Sequence, residues 1–95
     1  MIKVVAKNVL KDGTKDRVLE LLEEMIAKTR QENGCIKYEL YESTEDPNTL
    51  TFIEEWEDAD KLAAHMKTEH FRRIIPAVGA FKAQDDAVDV YTPLR

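Results

Sequence analysis

The chain has 95 residues, which is the size of one domain with a small core. Nineteen acidic against fourteen basic residues give a formal charge of -5, which argues against bare nucleic acid or an anionic membrane as partner. An apolar fraction of 43% argues against wholesale disorder, and no apolar run approaches membrane length.

Ile2 to Leu10 alternates as a strand, with Val4, Ala6 and Asn8 on one face and Lys3, Val5 and Lys7 on the other. The N-terminus enters this pattern at once and does not read as a signal peptide. With a single cysteine, Cys35, and hence no internal disulfide, the expected home is a reducing cytoplasm. Asp12-Gly13 marks a turn. A helix is expected from about Lys15 to about Glu32, with Val18, Leu21, Leu22, Met25 and Ile26 as its apolar stripe and Thr14 or Asp12 as cap. Asn33-Gly34 ends it.

Cys35 to Glu42 alternates again, and a polar turn at 43–48 leads to a strand over 49–57. So short a connection predicts an antiparallel hairpin. The period then changes. Asp58 caps a second helix to about Met66, and Thr68 caps a further helical piece carrying Phe71, Ile74 and Ile75. Pro76 is expected to end or bend that piece, Ala77 to Asp86 to be a loop, and the segment around Val88 to Tyr91 to be the last strand.

The order β-α-β-β-α-β predicts an α+β, ferredoxin-like split β-α-β arrangement in which two helices cover one face of a four-stranded antiparallel sheet. That face is assigned to Val4, Ala6, Ile36, Tyr38, Leu40, Phe52, Val88 and Val90. The other face mixes Val5, Val9, Tyr41, Ile53 and Tyr91 with lysines and glutamates, more apolar than a wholly solvated face requires. A homodimer that buries its centre and leaves charges at the rim accounts for this.

The segments VVAKN ending at Asn8, NGCIKYELYES at 33–43, DPNTLTFIEEWED at 46–58 and LAAHMKTEHF at 62–71 together resemble the antibiotic biosynthesis monooxygenase (ABM) domain. The likeness is closest to its small bacterial quinol-monooxygenase-like members, and it covers nearly the whole chain. The resemblance implies a dimeric α+β barrel with a pocket in each protomer between sheet and helices. It also implies oxidation of a hydroquinone or polyphenol by molecular oxygen with no flavin, haem or metal cofactor. Similar domains degrade haem, isomerise a phosphorylated quorum-sensing signal or have no assigned reaction, so the alternatives are an isomerase of a small oxygenated metabolite and a ligand-binding dimer without turnover. The haem-degrading pattern has Trp near the position of His65 and the iron-binding His near Ile75, and this chain has neither.

Both histidines and the single Trp fall within 50–71. His65 shares a helical stripe with Leu62 and Met66, so it is either a satisfied core histidine or a proton acceptor in a pocket. The resemblance favours the pocket. His70 is a candidate for orienting substrate at the mouth, or a solvated residue of a helical first turn. On an uninterrupted helix it would stand about 140° from His65, so the two could share a metal only if the helix breaks between them. No metal site is expected from their spacing.

Asn8 interrupts an apolar face and needs a buried hydrogen-bond partner, either a substrate or a neighbouring backbone group, and the resemblance favours contact with substrate or an oxygen intermediate. Glu54 shares a face with Phe52 and Trp56, where burial would raise its pKa and make it a base, or it is simply a paired edge carboxylate. Trp56 is a candidate flat wall for an aromatic ring, and Phe52, Met66, Phe71, Met25 and Tyr38 are pocket-lining candidates, although core packing explains their spacing equally well. Cys35 reads as structural, and Arg72-Arg73 as a solvated pair. The catalytic reading expects Asn8, Trp56 and His65 to converge on one enclosed hollow, and their separation with no cavity able to hold an aromatic ring between them would end it.

Overall fold

The computed structural model describes residues 1–95. Its elements are β1 (Ile2–Val9), α1 (Lys15–Thr29), β2 (Cys35–Glu42), β3 (Thr49–Trp56), α2 (Ala59–Met66), α3 (Glu69–Gly79) and β4 (Ala87–Tyr91). The strands form one sheet in the order β2-β3-β1-β4, with every neighbouring pair antiparallel. This is the ferredoxin-like α+β arrangement expected from the order of elements.

Val18, Leu22, Met25 and Thr29 recur at helical spacing and are the buried stripe of α1. They join Val4, Tyr38, Leu50, Phe52, Trp56, Ile74 and Val78 in the core, except Thr29, whose hydroxyl is buried without a partner. Met25 lies fully inside this core. The hairpin between β2 and β3 closes on Asp46, whose carboxylate accepts from the Asn48 amide at 3.0 Å and the Thr49 hydroxyl at 2.9 Å. Those two bonds hold its pKa below the usual range.

Three expectations are corrected. Ile36 is not a core residue. The register slips between Cys35 and Lys37, so the extra residue leaves the pleat and Ile36 is 54% exposed. Val88 and Val90 do share a face with Ala6 and Val4, their register partners, yet both remain more than half exposed because β4 is an edge strand that the helices do not fully cover. Pro76 does not end α3, which continues to Gly79, so Ala77 to Gly79 are helical rather than loop. Pro76 and Arg72, whose carbonyl loses its usual partner, are both exposed residues on the same side of α3.

Gly34 joins α1 to β2 with φ +89°, a conformation that costs an L side chain about 1–2 kcal/mol. A Cβ there would also collide with the Lys61 side chain. Gly34→Ala is therefore expected to lower the melting temperature by roughly 5–15 °C, and an unchanged thermal melt would contradict this account of the turn.

On the outer sheet face Val5 pairs with Ile53, and Glu55 lies 3.7 Å from both Lys3 and Lys37. Tyr41 and Tyr91 on that side are about half exposed. No helix is long and apolar enough to cross a membrane.

Candidate functional site

The site begins with a helix break. α2 stops at Met66, and Thr68 restarts the helix as the N-cap of α3. The Thr68 hydroxyl donates to the His65 carbonyl at 2.7 Å and accepts from the Phe71 amide at 3.3 Å. One side chain thus caps both pieces. The break changes the rotation between His65 and His70, and their rings come to 6.3 Å centroid to centroid.

Glu32, in the turn after α1, lies between them. Its Oε2 accepts from His65 Nδ1 at 2.8 Å and from His70 Nε2 at 2.7 Å. The Glu32 backbone is pinned on both sides: its amide donates to Thr29, and its carbonyl accepts from Cys35. All three side chains are largely shielded from water, where such charge-assisted bonds are strongest. With Nδ1–H committed to Glu32, a neutral His65 presents the lone pair of Nε2, which has no protein partner. Burial pushes the His65 pKa down and favours the neutral ring, opposed by the Glu32 carboxylate, which favours the charged one.

Aromatic rings fix His65 from several sides. Trp56 lies 4.7 Å away, Phe71 5.0 Å and Tyr38 5.6 Å between ring centroids. Beyond them opens a cavity of about 290 Å³ between the sheet and α2–α3. Tyr38, Glu54, His65, Met66, Phe71 and Val88 are among its lining, which is mostly hydrophobic. A cavity of about 150 Å³ already admits benzene, so a substituted aromatic ring fits this one.

Glu54 is the second polar group in that lining. Its Oε1 accepts from the Trp56 indole at 2.9 Å. Burial nevertheless raises its pKa, partly offset by that bond and reinforced by the nearby Glu32 charge. A carboxyl whose folded pKa is raised contributes most to stability below the ordinary carboxylate range and loses that contribution as pH rises through its folded value. Glu54→Gln is therefore expected to stabilise the chain near neutral pH by about 1 kcal/mol. The gap should close on acidification. Melts that diverge instead as pH falls would reverse the sign. Tyr38, buried and facing the Glu54 charge, has its hydroxyl pKa pushed up and stays protonated.

The structure gathers His65, Glu54, Tyr38, Met66 and Phe71 around the cavity and corrects the expected convergence of Asn8, Trp56 and His65. Trp56 is fully buried beneath His65 and supports it instead of facing a ligand. Phe52 packs on Tyr38 at 4.8 Å inside the core and does not line the cavity. Asn8 pairs with Leu50 while Glu54 pairs with Val4, four residues or about 13 Å along β1. Its amide donates to the Ala6 carbonyl at 3.1 Å, so Asn8 sits beyond the Ala6 end of the lining. His70 stands behind His65, on Glu32, rather than at the mouth. Cys35 is half-buried, and burial pushes its thiol pKa up. Arg73 is bound to Glu24 and Glu69 on the surface.

Glu32 escaped the sequence reading, which took it as the last residue of a helix. Its partners lie 33 and 38 residues away, and no local pattern points to them.

The family model described as antibiotic biosynthesis monooxygenase matches residues 1–77. The fold superposes on a crystal structure of an antibiotic biosynthesis monooxygenase with a TM-score of 0.96, at 40% identity and over 100% of both chains. A Mycobacterium tuberculosis protein named "Putative monooxygenase Rv0793" is 31% identical over 98% of this chain and 91% of its own. Its solved structure matches with a TM-score of 0.92 over 99% of this chain and 95% of that one. An uncharacterized protein of Synechocystis, sll1783, is 29% identical over 93% of this chain, which spans 60% of that relative's length. The chain belongs to the antibiotic biosynthesis monooxygenase family.

Proposed function

We propose that the protein oxidises a hydroquinone or polyphenol with molecular oxygen, using His65 as the base. The observation that carries this reading is a histidine held by Glu32 through Nδ1, with its Nε2 unengaged, in the wall of an apolar cavity sized for an aromatic ring. Tyr38, Met66 and Phe71 would hold the ring, and His65 and Glu54 its oxygens.

The chemistry balances without a resident cofactor. A phenolic O–H gives its proton to His65 Nε2. The phenolate gives one electron to oxygen, and the resulting radical pair forms a C–O bond at a ring carbon bearing hydrogen. His65 returns its proton to the peroxide. The O–O bond then breaks, water leaves with the ring hydrogen, and that carbon becomes a carbonyl. One oxygen atom enters the product and the other becomes water. Preorganised polar groups in a water-poor site lower the cost of the developing oxygen charge.

The outer face of the sheet supports assembly of two copies, with Val5 and Ile53 on the central strands, Tyr41 and Tyr91 half exposed on the edge strands, and the Lys3–Glu55–Lys37 cluster two residues along from the Val5–Ile53 pair.

The test is oxygen uptake by the protein with a panel of hydroquinones, beside protein-free controls. Saturable uptake above autoxidation is expected. Uptake equal to autoxidation across the panel would remove the reading. Substrate loss without oxygen would replace it with isomerisation.

A further inference from the structure

We propose that Glu32, His65 and His70 form a binding site for a divalent cation of the zinc class. The condition for shared ligation is a helix break between the two histidines, and the break at Lys67–Thr68 provides it. One ligand atom from each residue, Glu32 Oε2, His65 Nδ1 and His70 Nε2, fits within a span of 4.8 Å. Two of the three separations are 2.8 and 2.7 Å. Around a tetrahedral zinc with bonds of about 2.0–2.1 Å, neighbouring ligand atoms stand roughly 3.3 Å apart. To seat the ion, each carboxylate–imidazole separation opens by about half an ångström, and the two ring nitrogens, which lie within 4.8 Å of each other, close towards the same spacing.

The donor set selects the class of ion. Two imidazole nitrogens and one carboxylate suit zinc and its transition-metal neighbours, whereas calcium and magnesium prefer oxygen ligands throughout. Three protein ligands leave a further position for water. The metal would replace the two ring protons that now point at Oε2, so no buried polar atom loses its partner. The ligands are also held in place beforehand. The Glu32 backbone bonds to Thr29 and Cys35, the Thr68 hydroxyl holds the His65 carbonyl, and Trp56, Tyr38 and Phe71 enclose the His65 ring.

One consequence rests on the oxidation reading, although the binding does not. A metal on Nδ1 leaves the imidazole proton on Nε2, so His65 can only donate to the cavity and no longer takes a phenolic proton. Occupancy would inhibit turnover.

The experiment starts from protein stripped with a chelator and titrated with zinc chloride near neutral pH against a fluorescent zinc indicator of micromolar affinity. The expected result is one zinc ion per chain taken from the indicator. Glu32→Gln and His70→Gln should each weaken binding by at least about tenfold. An indicator that keeps its zinc, or variants that bind as the unmodified chain does, would overturn the proposal. If a substitution unfolds the chain, cobalt(II) decides with the intact protein. His65 and His70 are its only histidines. One equivalent of cobalt must therefore shift or broaden the NMR signals of both rings, and signals unmoved by cobalt would refute the site. Because these readouts are of binding alone, their failure leaves the oxidation reading standing, and a failed oxygen assay leaves the metal site standing.

Discussion

His65→Gln is expected to lower the kcat of hydroquinone-dependent oxygen uptake by about 10²–10⁴-fold, the range that a positioned general base contributes. Glutamine can still hydrogen-bond Glu32 and roughly fill the space among Trp56, Phe71 and Tyr38, so the cavity wall persists. What disappears is the basic nitrogen facing the cavity. KM should change little, because the contacts of Tyr38, Met66 and Phe71 with the ring are retained. In the unmodified chain burial holds the His65 pKa down, so the ring remains a free base at more acidic pH than an ordinary imidazole. The acid limb of kcat/KM should accordingly fall below about pH 6.5. Steady-state oxygen uptake with a chelator present checks both points. A glutamine variant that turns over at the unmodified rate would remove His65 from the chemistry.

Trp56→Ala should have the largest effect on stability, about 3–5 kcal/mol, as expected for emptying a large buried aromatic site. Trp56 has no exposed surface and lies in the sheet at the Ile2 and Cys35 register row. Its removal leaves a cavity beneath His65 and takes the indole N–H from the buried Glu54 carboxyl. Against a typical total of about 5–15 kcal/mol, the loss is a large fraction of what holds the chain folded. The melting temperature should fall by roughly 15–30 °C. Trp56→Phe separates the two contributions, since it keeps most of the packing and removes only the hydrogen bond. Calorimetry that finds the alanine and phenylalanine variants equally stable would show that packing is not the dominant part.

The residues that formed the fold were legible because their signals are local. The stripe of Val18, Leu22 and Met25 marks a helix, and the alternation of Leu50, Phe52, Glu54 and Trp56 marks a half-buried strand. The caps at Asp58 and Thr68 were readable for the same reason, since each bonds an amide three residues on. The errors have local causes too. A bulge at Ile36 leaves no mark in the alternation around it, and Pro76 is tolerated on a helix face open to water.

The site was legible only in part. His65, Glu54, Tyr38, Met66 and Phe71 stood out as unusual or aromatic side chains in one stretch or on one face. Asn8 stood out equally, and its distance from them is set by the pairing of β1 with β3, which no single strand reveals.

The amino-acid order alone was sufficient for the type, sequence and facing of nearly every element, because periodicity and capping act over three or four neighbours. The tertiary structure decided which groups meet. Glu32 reaches both histidines because α1 packs against α3 and the turn that follows α1 carries Glu32 to them, a contact set by helix packing and chain reversal. Such meetings depend on how whole elements pack, and that information is spread along the chain instead of residing beside the residues that use it.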